Sequence, residues 1–479
     1  MDKVLKNDLE ILEQLLETAA SRGVSWLNKI DRTPTSVAPG QYGGTGSGGQ
    51  RSSTKEGNGR VLDPEGAGGL EALNEFNRRF EPIMVASTGP RYWGFVTGGA
   101  TPAAIVGDWL AAVYDQNTQT PKGPGDVSAV IELETINLLL QLFDLPGDFK
   151  GGFVSGAMMS NFTCLAVARQ WAGRQLGRDV AREGVQQSLK VLSATPHSSA
   201  IKSLSLLGLG SANIVTVDTL SGNREAIDPA ALEKAIQGLQ GEPFILISSG
   251  GTVNTVDYDD LHAISLLKEK YRFWWHIDAA FGAFAALSPE HKHLLRGWEN
   301  ADSITIDAHK WLNVPYENAF FLVKEKHKTL QLETFRNSNA PYLGEQAENF
   351  NYLNYLPENS RRLKALPVWF TLLAYGRDGY RSIIENNILL ARELGAYIEK
   401  SDDFQLLAPV RLNTVCFTLK AEPDRVPVFL ERLNGSGKVF MTPTVYAGKA
   451  GIRAALVNWR TTADDVQVAI REMERAISV

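Results

Sequence analysis

The residues of this chain best suited to chemistry lie in two stretches, WWHIDAAFGAF at 274–284 and DSITIDAHKWLNVPYENAFFLVK at 302–324. Asp278 ends an apolar run in the first stretch, and His309 and Lys310 follow an apolar run in the second. Short apolar runs of this kind indicate strands that are buried on both faces. Because groups beyond the carboxyl ends of parallel strands share one crevice, we expect a carboxylate and an amine in one site. A solvated lysine after a strand is the alternative for Lys310.

Pyridoxal phosphate requires a lysine for its aldehyde, a carboxylate for its pyridine nitrogen, a group over its ring and a phosphate cradle. His197 follows a strand-like run at the start of a helix, so it can cover the ring; a capping role is its alternative. Asp278 has an Asx turn as its alternative. The segment FVSGAMMSNFTCLAVAR (153–169) enters a helix from a turn of small residues, and such N–H groups bind anions. We predict that the backbone of Gly156, Ala157 and Met158 holds the phosphate.

From about residue 100 the sequence alternates between helical and strand-like patterns, which indicates a parallel-rich α/β sheet. The predicted strands are 189–193, 213–217, 244–248, 274–277, 303–306 and 319–323. The predicted helices are 103–114, 128–143, 161–175 and 230–238. After residue 375 a long helix, 379–400, and an edge-like strand, 414–419, indicate a smaller α+β domain.

The N-terminal part has a different character. Leucines at helical spacing predict an amphipathic helix over 3–22, and a Gly- and Ser-rich segment follows at 39–59. We therefore predict an N-terminal segment (1–75), a large α/β domain (76–375) and a small α+β domain (376–479). The G-x-G-x-x-G match at 44–49 has no strand before it and no helix after it, which argues against a dinucleotide fold.

The composition excludes several classes of protein. The 479 residues contain 48 Lys and Arg against 54 Asp and Glu, a net charge of −6 that argues against a nucleic-acid partner. The N-terminus has no apolar signal segment, and no stretch reaches the roughly 20 apolar residues of a membrane span. Two cysteines cannot form a disulfide framework or, by themselves, a zinc site. We expect a cytoplasmic protein without a membrane partner or a metal.

The motifs together resemble the group II pyridoxal-phosphate-dependent amino-acid decarboxylases, the relatives of aromatic-L-amino-acid and glutamate decarboxylases, over about residues 63–470. The motifs that carry this resemblance are GPRYWGFVTGGATPAA (89–104), ELE (132–134), HSS (197–199), GTVNTVDYDD (251–260), HIDAAFGAF, DAHKWLNVPY, PENSRR (357–362) and NWRTT (458–462). The resemblance implies an aspartate-aminotransferase-like, fold-type-I large domain and a homodimer. It also implies an enzyme that releases CO₂ and an amine from an L-amino acid by way of a lysine aldimine.

The resemblance assigns roles to individual residues. Lys310 matches the aldimine lysine, Asp278 the partner of the pyridine nitrogen, and His197 the histidine stacked on the ring. Further cofactor contacts fall on Ala157, Met158, Thr252, Asp307 and His309. Substrate contacts are expected from Trp93, Phe95 and Thr97. Asp307 departs from relatives that have Asn there, and a carboxylate beside a phosphate is unfavourable.

The segment Asn337–Asn359 has neither a helical nor a strand period and is long for a connection, so we predict a mobile lid. Relatives carry a catalytic tyrosine about ten residues before paired arginines, which points to Tyr352 as the donor of the proton that replaces CO₂. Tyr355 is the close alternative and His197 the next one. An aminotransferase or lyase on the same fold, and a non-catalytic binding module, remain open alternatives. The sequence leaves the substrate side chain open.

Overall fold

The computed structural model of the chain describes residues 1–37, 62, 64–121, 127–336 and 350–478. The Gly- and Ser-rich segment at 39–59, with its G-x-G-x-x-G match, and residues 337–349 of the predicted lid lie outside the described residues. Two β-sheets, each with its own hydrophobic core, organise the rest.

The strands of the described residues fall into a large and a small sheet. The large sheet contains β1 (Phe149–Val154), β2 (Lys190–Ser193), β3 (Ile214–Thr216), β4 (Phe244–Ser249), β5 (Trp274–Asp278), β6 (Ser303–Asp307) and β7 (Ala319–Lys324). The small sheet contains β8 (Phe404–Leu406), β9 (Thr414–Leu419), β10 (Thr442–Tyr446) and β11 (Lys449–Ala455).

The helices pack on both sheets or precede them. They are α1 (Lys3–Glu10), α2 (Leu12–Lys29), α3 (Gly69–Arg79), α4 (Pro102–Tyr114), α5 (Ser128–Leu142), α6 (Ala157–Gln175), α7 (Val180–Glu183), α8 (Ser198–Leu206), α9 (Pro229–Gly238), α10 (Leu261–Lys270), α11 (Lys328–Phe335), α12 (Ala365–Lys400), α13 (Val426–Gly435) and α14 (Ala463–Ile477).

The large sheet has the strand order β1-β7-β6-β5-β4-β2-β3. Strands β3, β2, β4, β5 and β6 are parallel, whereas β7 is antiparallel to both of its neighbours. Parallel strands with helices on both faces are buried on both faces, which is why their sequences are almost continuously apolar. The predicted parallel-rich α/β sheet is therefore confirmed. Its carboxyl edge brings the ends of β2, β4, β5 and β6 together, with Ser249 beside Asp278 in register.

The small sheet is antiparallel, in the order β10-β11-β9-β8, and it shares a core with α13, α14 and the second half of α12. Strand β9 was predicted as edge-like, but it lies between β11 and β8 and is buried at all six positions. The helix before it, α12, leaves helical geometry at Gly376, where φ is 58°. The limits 76–375 and 376–479 stay a prediction.

The predicted N-terminal amphipathic helix forms as two helices, α1 and α2, which meet at Ile11. Asp2 caps the first of them, because its Oδ1 accepts a hydrogen bond from the backbone N–H of Val4 at 2.9 Å. Four leucines of these helices are between 41% and 63% exposed: Leu5, Leu9, Leu12 and Leu16. Their apolar face is thus open in the single chain.

Candidate active site

A cavity of about 510 Å³ opens at the carboxyl edge of the large sheet, where the small sheet approaches it. Its walls come from the turn after β2, the ends of β4 and β5, the turn after β6, and strands β10 and β11. The side chains that matter for its chemistry are His197, Thr252, Asp278, Phe281, Lys310 and Arg453. Three predicted catalytic residues therefore share one cavity: Lys310, Asp278 and His197.

Asp278 is the last residue of β5, where an apolar run gives way to small residues. Its Oδ2 accepts a hydrogen bond from Asn161 Nδ2 at 2.9 Å, and its Oδ1 accepts one from the N–H of Ala280 at 3.3 Å. Asn161 is fully buried in the second turn of α6. Two donors from two elements thus fix the carboxylate at the cavity wall.

His276 supports this arrangement from the same strand. It is fully buried, with Nε2 at 2.8 Å from Asn161 Oδ1 and Nδ1 at 2.9 Å from Ser303 Oγ. Burial lowers the pKa of His276 to about 4, although the charge of Asp278 opposes the shift. At neutral pH His276 is therefore an uncharged buttress for Asn161.

Lys310 lies in the turn that follows β6, and its Nζ is 2.8 Å from Asp307 Oδ2. Asp307 is 2% exposed, and its Oδ1 has no hydrogen-bond partner among the described residues. The backbone of Gly98 packs so closely that a Cβ there would lie 1.9 Å from the carbonyl oxygen of Lys310. The turn is therefore held from both sides, and Asp307 contacts the lysine.

His197 is the N-cap of α8, directly beyond β2. Its Nδ1 accepts the backbone N–H of Ser199 at 3.2 Å and lies 2.7 Å from Ser199 Oγ. Desolvation lowers the pKa of the His197 imidazole, which Asp278 opposes and Lys310 reinforces. The same side chain therefore caps the helix and lines the cavity, so the capping role and the predicted functional role are compatible.

The predicted phosphate cradle is the start of α6. Gly156 is its N-cap, and no side chain caps the first turn, so the N–H groups of Ala157 and Met158 have no intrahelical partner. A Cβ at Gly156 would lie 3.5 Å from His309 Cε1, which places His309 beside the cradle. The hydroxyl of Ser160 is bonded within the core to Phe320 O at 3.0 Å. Backbone groups thus dominate this cradle.

Thr252 lines the cavity and is 5% exposed. Its hydroxyl is hydrogen-bonded to Glu225, a residue that the sequence analysis did not identify. It donates to Glu225 Oε2 at 2.5 Å, as does Thr255 at 2.6 Å. Glu225 also lines the cavity. Glu225 and Asp259 therefore line the cavity as carboxylates in addition to Asp278.

His309 lies beside Asp307, with its Nε2 3.7 Å from Asp307 Oδ1, and it packs on an aromatic ring. Its ring lies 4.2 Å from the ring of Tyr316, whose hydroxyl is 3.4 Å from Thr97 Oγ1. Phe95 has a φ of 56° and is 61% exposed, with its ring 6.0 Å from that of Phe440. Among the predicted substrate residues, Thr97 is therefore the one that contacts the His309–Tyr316 pair in the described structure.

The prediction that Trp93 contacts substrate is wrong in this structure. Trp93 is fully buried in the core of the small sheet, and its indole N–H donates to Pro90 O at 2.9 Å. An apolar ring in a domain core has no access to the cavity. The motif GPRYWGF therefore serves packing at this position.

The predicted role of Tyr352 as the proton donor on a mobile loop stays a prediction, although the structure packs its side chain away from the cavity. Tyr352 is 1% exposed in a single 3-10 turn, lies under the guanidinium of Arg361 at 4.2 Å, and bonds to Gly151 O at 3.3 Å. Burial raises the pKa of its hydroxyl well above the usual range. Tyr355 is 5% exposed, and desolvation raises its pKa to about 12. Tyr352 belongs to a core cluster of the large sheet, and the ring of Tyr355 packs 4.8 Å from that of Phe350.

Sequence reasoning missed one cation in the cavity. Arg453 on β11 donates to Val253 O at 3.3 Å, while its Nε has no hydrogen-bond partner among the described residues. Desolvation lowers the pKa of this guanidinium, which nevertheless stays charged at neutral pH. The alternation in KAGIRAA was the available signal, because it turns one long polar side chain inward from an apolar strand.

The donor set of the cavity fits pyridoxal phosphate. Lys310 supplies an amine, Asp278 a fixed carboxylate, His197 an imidazole, and the start of α6 supplies N–H groups without intrahelical partners. The strand order and these groups fit the fold-type-I pyridoxal-phosphate architecture that the sequence predicted.

The chain belongs to the pyridoxal-dependent decarboxylase family, whose conserved-domain model matches residues 69–420. An aromatic-L-amino-acid decarboxylase of Bacillus atrophaeus is 29% identical over 438 residues, which cover 87% of this chain and 88% of that protein. A phenylacetaldehyde synthase of Arabidopsis thaliana is 26% identical over 415 residues, covering 81% of each. The crystal structure of Oryza sativa TDC with PLP and tryptamine has a TM-score of 0.86 at 22% identity, with 98% of both chains covered.

These comparisons confirm the family, the fold class, the cofactor and the activity that the sequence predicted. The protein is a pyridoxal-phosphate-dependent amino-acid decarboxylase. Every helix among the described residues is too short or too polar to cross a membrane.

Proposed function

We propose that Lys310, Asp278 and His197 carry out the decarboxylation in this cavity. The observation that supports this assignment is their convergence at the carboxyl edge of one sheet. When bound, pyridoxal phosphate supplies the electron sink that accepts the electrons left on the substrate when CO₂ departs. Lys310 supplies the amine for the cofactor aldehyde after it leaves Asp307, and Asp278 holds the proton on the pyridine nitrogen. His197 covers the ring.

The cofactor phosphate is assigned to the N–H groups of Ala157 and Met158, with His309 nearby. Thr252 and Asp307 complete the proposed cofactor contacts. The hydroxyl of Thr252 is held by Glu225, and Asp307 acts by contacting Lys310. This assignment places the phosphate on backbone N–H groups and not on the Asp307 carboxylate, which contacts Lys310 in this structure.

Arg453 is the proposed binding group for the substrate carboxylate. Its buried Nε has no hydrogen-bond partner among the described residues, and guanidinium groups bind carboxylates strongly. If Arg453 binds the substrate carboxylate, the bond between that carboxylate and Cα, which breaks in the reaction, lies on the Arg453 side of the cavity. The substrate is therefore an amino acid whose own carboxylate is recognised before it is lost.

An aromatic L-amino acid is the proposed substrate class. The Bacillus atrophaeus relative, an aromatic-L-amino-acid decarboxylase, supports this choice. A second candidate is an oxidative reaction that converts the amino acid, O₂ and water to aldehyde, CO₂, ammonia and hydrogen peroxide, since the Arabidopsis thaliana relative is a phenylacetaldehyde synthase at similar identity. The two candidates differ in their products and not in the groups that bind the cofactor.

The test is a product balance. The purified enzyme with pyridoxal phosphate is incubated with each of the twenty amino acids and with diaminobutyrate, and CO₂, amine, aldehyde and 2-oxo acid are measured. We expect CO₂ and amine in equal amounts, with an aromatic substrate the fastest. A 2-oxo acid without CO₂ would indicate an aminotransferase, aldehyde in place of amine would indicate the second candidate, and no turnover of any substrate would indicate a binding module.

We also propose that the working unit is a homodimer. The exposed leucines of α1 and α2 need a covering surface, and α4 adds exposed Trp109 and Val113. Sedimentation at micromolar concentration should give about twice 52.5 kDa. Leu5→Glu with Leu9→Glu should shift the protein to monomer, whereas Leu389→Glu, an exposed leucine on α12, should not. A fully active monomer would contradict the proposal.

The cytoplasm is the proposed compartment. Both cysteines, Cys164 and Cys416, are buried and unpaired, which suits a reducing environment. Cell fractionation with antibody detection tests this directly, and recovery of the protein in an exported fraction would contradict it.

A further inference from the structure

Behind the cavity, neutral side chains form a chain of hydrogen bonds that joins Asp278 to His197. The donor and the acceptor of each bond can be assigned from the structure, because several groups in the chain can act in only one way. We call this chain the relay. Its members are Trp274, Ser303, His276, Asn161 and Ser199.

The amide of Asn161 is oriented by Asp278, because an ionised carboxylate only accepts hydrogen bonds. Asn161 Nδ2 therefore faces Asp278 Oδ2 at 2.9 Å, and its second N–H donates to Ser199 Oγ at 3.1 Å. The amide oxygen is left facing His276 Nε2 at 2.8 Å, so that nitrogen carries a proton.

The other nitrogen of His276 accepts. The indole N–H of Trp274, which only donates, bonds to Ser303 Oγ at 3.0 Å. Because His276 is fully buried and neutral, its Nδ1 has no proton, and Ser303 donates to it at 2.9 Å. All bonds from Trp274 to Asp278 thus run in one direction.

The second branch of the relay ends at His197. The backbone N–H of Ser199 points at His197 Nδ1 at 3.2 Å, and a backbone amide can only donate. His197 Nδ1 therefore has no proton, and the hydroxyl of Ser199 donates to it at 2.7 Å. A neutral imidazole with an unprotonated Nδ1 carries its proton on Nε2.

We propose that the relay holds His197 as a neutral imidazole protonated on Nε2, which makes it a hydrogen-bond donor and not the source of the proton that replaces CO₂. If Nε2–H were given to carbon, an imidazolate would remain, and Asn161 cannot pass on a proton to neutralise it. Asn161 and Ser199 are then positioning residues. The inference deepens the proposed function, because it rests on the place of His197 in that site, and it corrects His197 as the next candidate proton donor.

The charged groups that act on His197 come from several elements. Burial is the largest influence and favours the neutral form; Asp278 and Asp307 favour the protonated form, and Lys310 and Arg453 oppose it. Against this mixed background, the two donors to Nδ1 select the neutral form. Ser199→Ala removes one of the two donors without changing any charge, so His197 should then bind a proton at higher pH.

The first experiment reads the tautomer of His197 in the cofactor-loaded enzyme and in the cofactor-free protein. Histidine is labelled with ¹⁵N, and the His197 signals are assigned by their loss in His197→Gln. We expect a bare Nδ1 and a protonated Nε2 at neutral pH. In Ser199→Ala the titration midpoint should rise by about one pH unit, the size expected for one lost hydrogen bond. The acid limb of kcat should move with it.

Ser205→Ala is the matched control, since Ser205 lies on the same helix and its hydroxyl donates to Ile201 O at 3.1 Å, within that helix and away from His197. A proton on His197 Nδ1, or a Ser199→Ala shift no larger than that of Ser205→Ala, would overturn the inference. The tautomer is measured without turnover. A failure of the proposed decarboxylation therefore cannot be mistaken for a failure of the relay.

The second experiment reverses one bond. Asn161→Asp places an acceptor opposite Asp278 Oδ2, so the dissociation constant for pyridoxal phosphate should rise by about tenfold or more. Gln170→Glu is the control, because Gln170 is an equally buried amide on α6 that donates to Asp179 and Glu333. Equal losses in both variants would contradict the positioning role. If Asn161→Asp does not fold, Asn161→Leu should still weaken cofactor binding more than Gln170→Leu.

Discussion

The polar groups in and behind the cavity fall into a paired set and an open set. In the paired set, His276 and Asn161 use both ends of their side chains, with bonds of 2.8–3.1 Å. In the open set, Asp307 Oδ1 and Arg453 Nε are buried without a hydrogen-bond partner among the described residues. Buried polar atoms without partners cost free energy that a ligand can recover. The comparison indicates that the paired set positions the catalytic groups, whereas the open set receives cofactor and substrate.

The largest effect is expected at Lys310, which contacts Asp307 of the open set. Lys310→Ala should lower kcat by about 10³-fold or more, because the amine that bonds to the cofactor aldehyde is lost. Amine release in a discontinuous assay measures this. Lys202→Ala, an exposed lysine on α8, should leave the rate unchanged. A Lys310→Ala variant at more than a tenth of the parent rate would exclude this lysine.

The next effect belongs to the paired set. Asp278→Asn should lower kcat by about 10²- to 10³-fold, because a neutral partner no longer holds the proton on the pyridine nitrogen. Cofactor affinity should change less than kcat, since Asn161 can still contact the new side chain. Single-turnover kinetics with a saturating cofactor concentration separate the two quantities. Near-parent kcat would refute the role of Asp278.

Substitution of Arg453, a member of the open set, should change KM more than kcat. Arg453→Met should raise KM by about tenfold to 100-fold with a smaller change in kcat, because a charge-assisted bond to the substrate carboxylate is lost. Arg471→Met, an exposed arginine on α14, is the control. A fall in kcat with unchanged KM would instead show that Arg453 acts on the transition state.

The paired set should also appear in the pH dependence of stability. The pKa of His276 is about 4 in the folded protein against 6.5 in the unfolded chain, so the unfolded chain binds more protons between these values. Stability therefore falls as the pH drops from about 6.5 to about 4, by about 2 kcal/mol between pH 7 and pH 5. Urea unfolding of the cofactor-free protein at these two pH values measures it. His276→Gln, which keeps a donor for Asn161, should lack this component; an unchanged slope would contradict the assignment.

The smallest effects are expected at the two buried tyrosines. Tyr352→Phe loses only the 3.3 Å bond to Gly151 O, at a cost of about 1 kcal/mol of stability. Tyr355→Phe should be neutral, because the Tyr355 hydroxyl has no hydrogen-bond partner among the described residues. Both variants should form amine at the parent rate. Tyr342→Phe is a third variant, which tests the tyrosine within residues 337–349. Loss of amine formation in Tyr352→Phe alone would support Tyr352 as the proton donor.

The fold was predictable where apolar runs have the length of a buried strand. The predicted strands 274–277 and 303–306 each fall one residue short of β5 and β6. Strand β1 was missed because FKGGFV contains a lysine and two glycines. Gly151 is required there by a close approach, since a Cβ would lie 2.4 Å from Phe321 O. Long-range packing of this kind leaves no local pattern.

The site was predictable where a residue follows a strand and carries charge, as Asp278 and Lys310 do. Asn161 and His276 were missed because their roles arise from a contact across 115 positions of sequence. The catalytic role of Tyr352 was predicted from its distance to Arg361 and Arg362, and it stays a prediction. In the structure that spacing reflects packing, with Arg361 stacked on the ring of Tyr352.

The central claim is that Lys310 holds the cofactor in the cavity that Asp278 and His197 line. Borohydride reduction of the cofactor-loaded enzyme, followed by proteolysis and mass spectrometry of the labelled peptide, tests it most directly. We predict that the cofactor is fixed to Nζ of Lys310 in the peptide that contains DAHKW. Cofactor fixed to another lysine, or no fixed cofactor in a protein that still releases CO₂, would contradict the account.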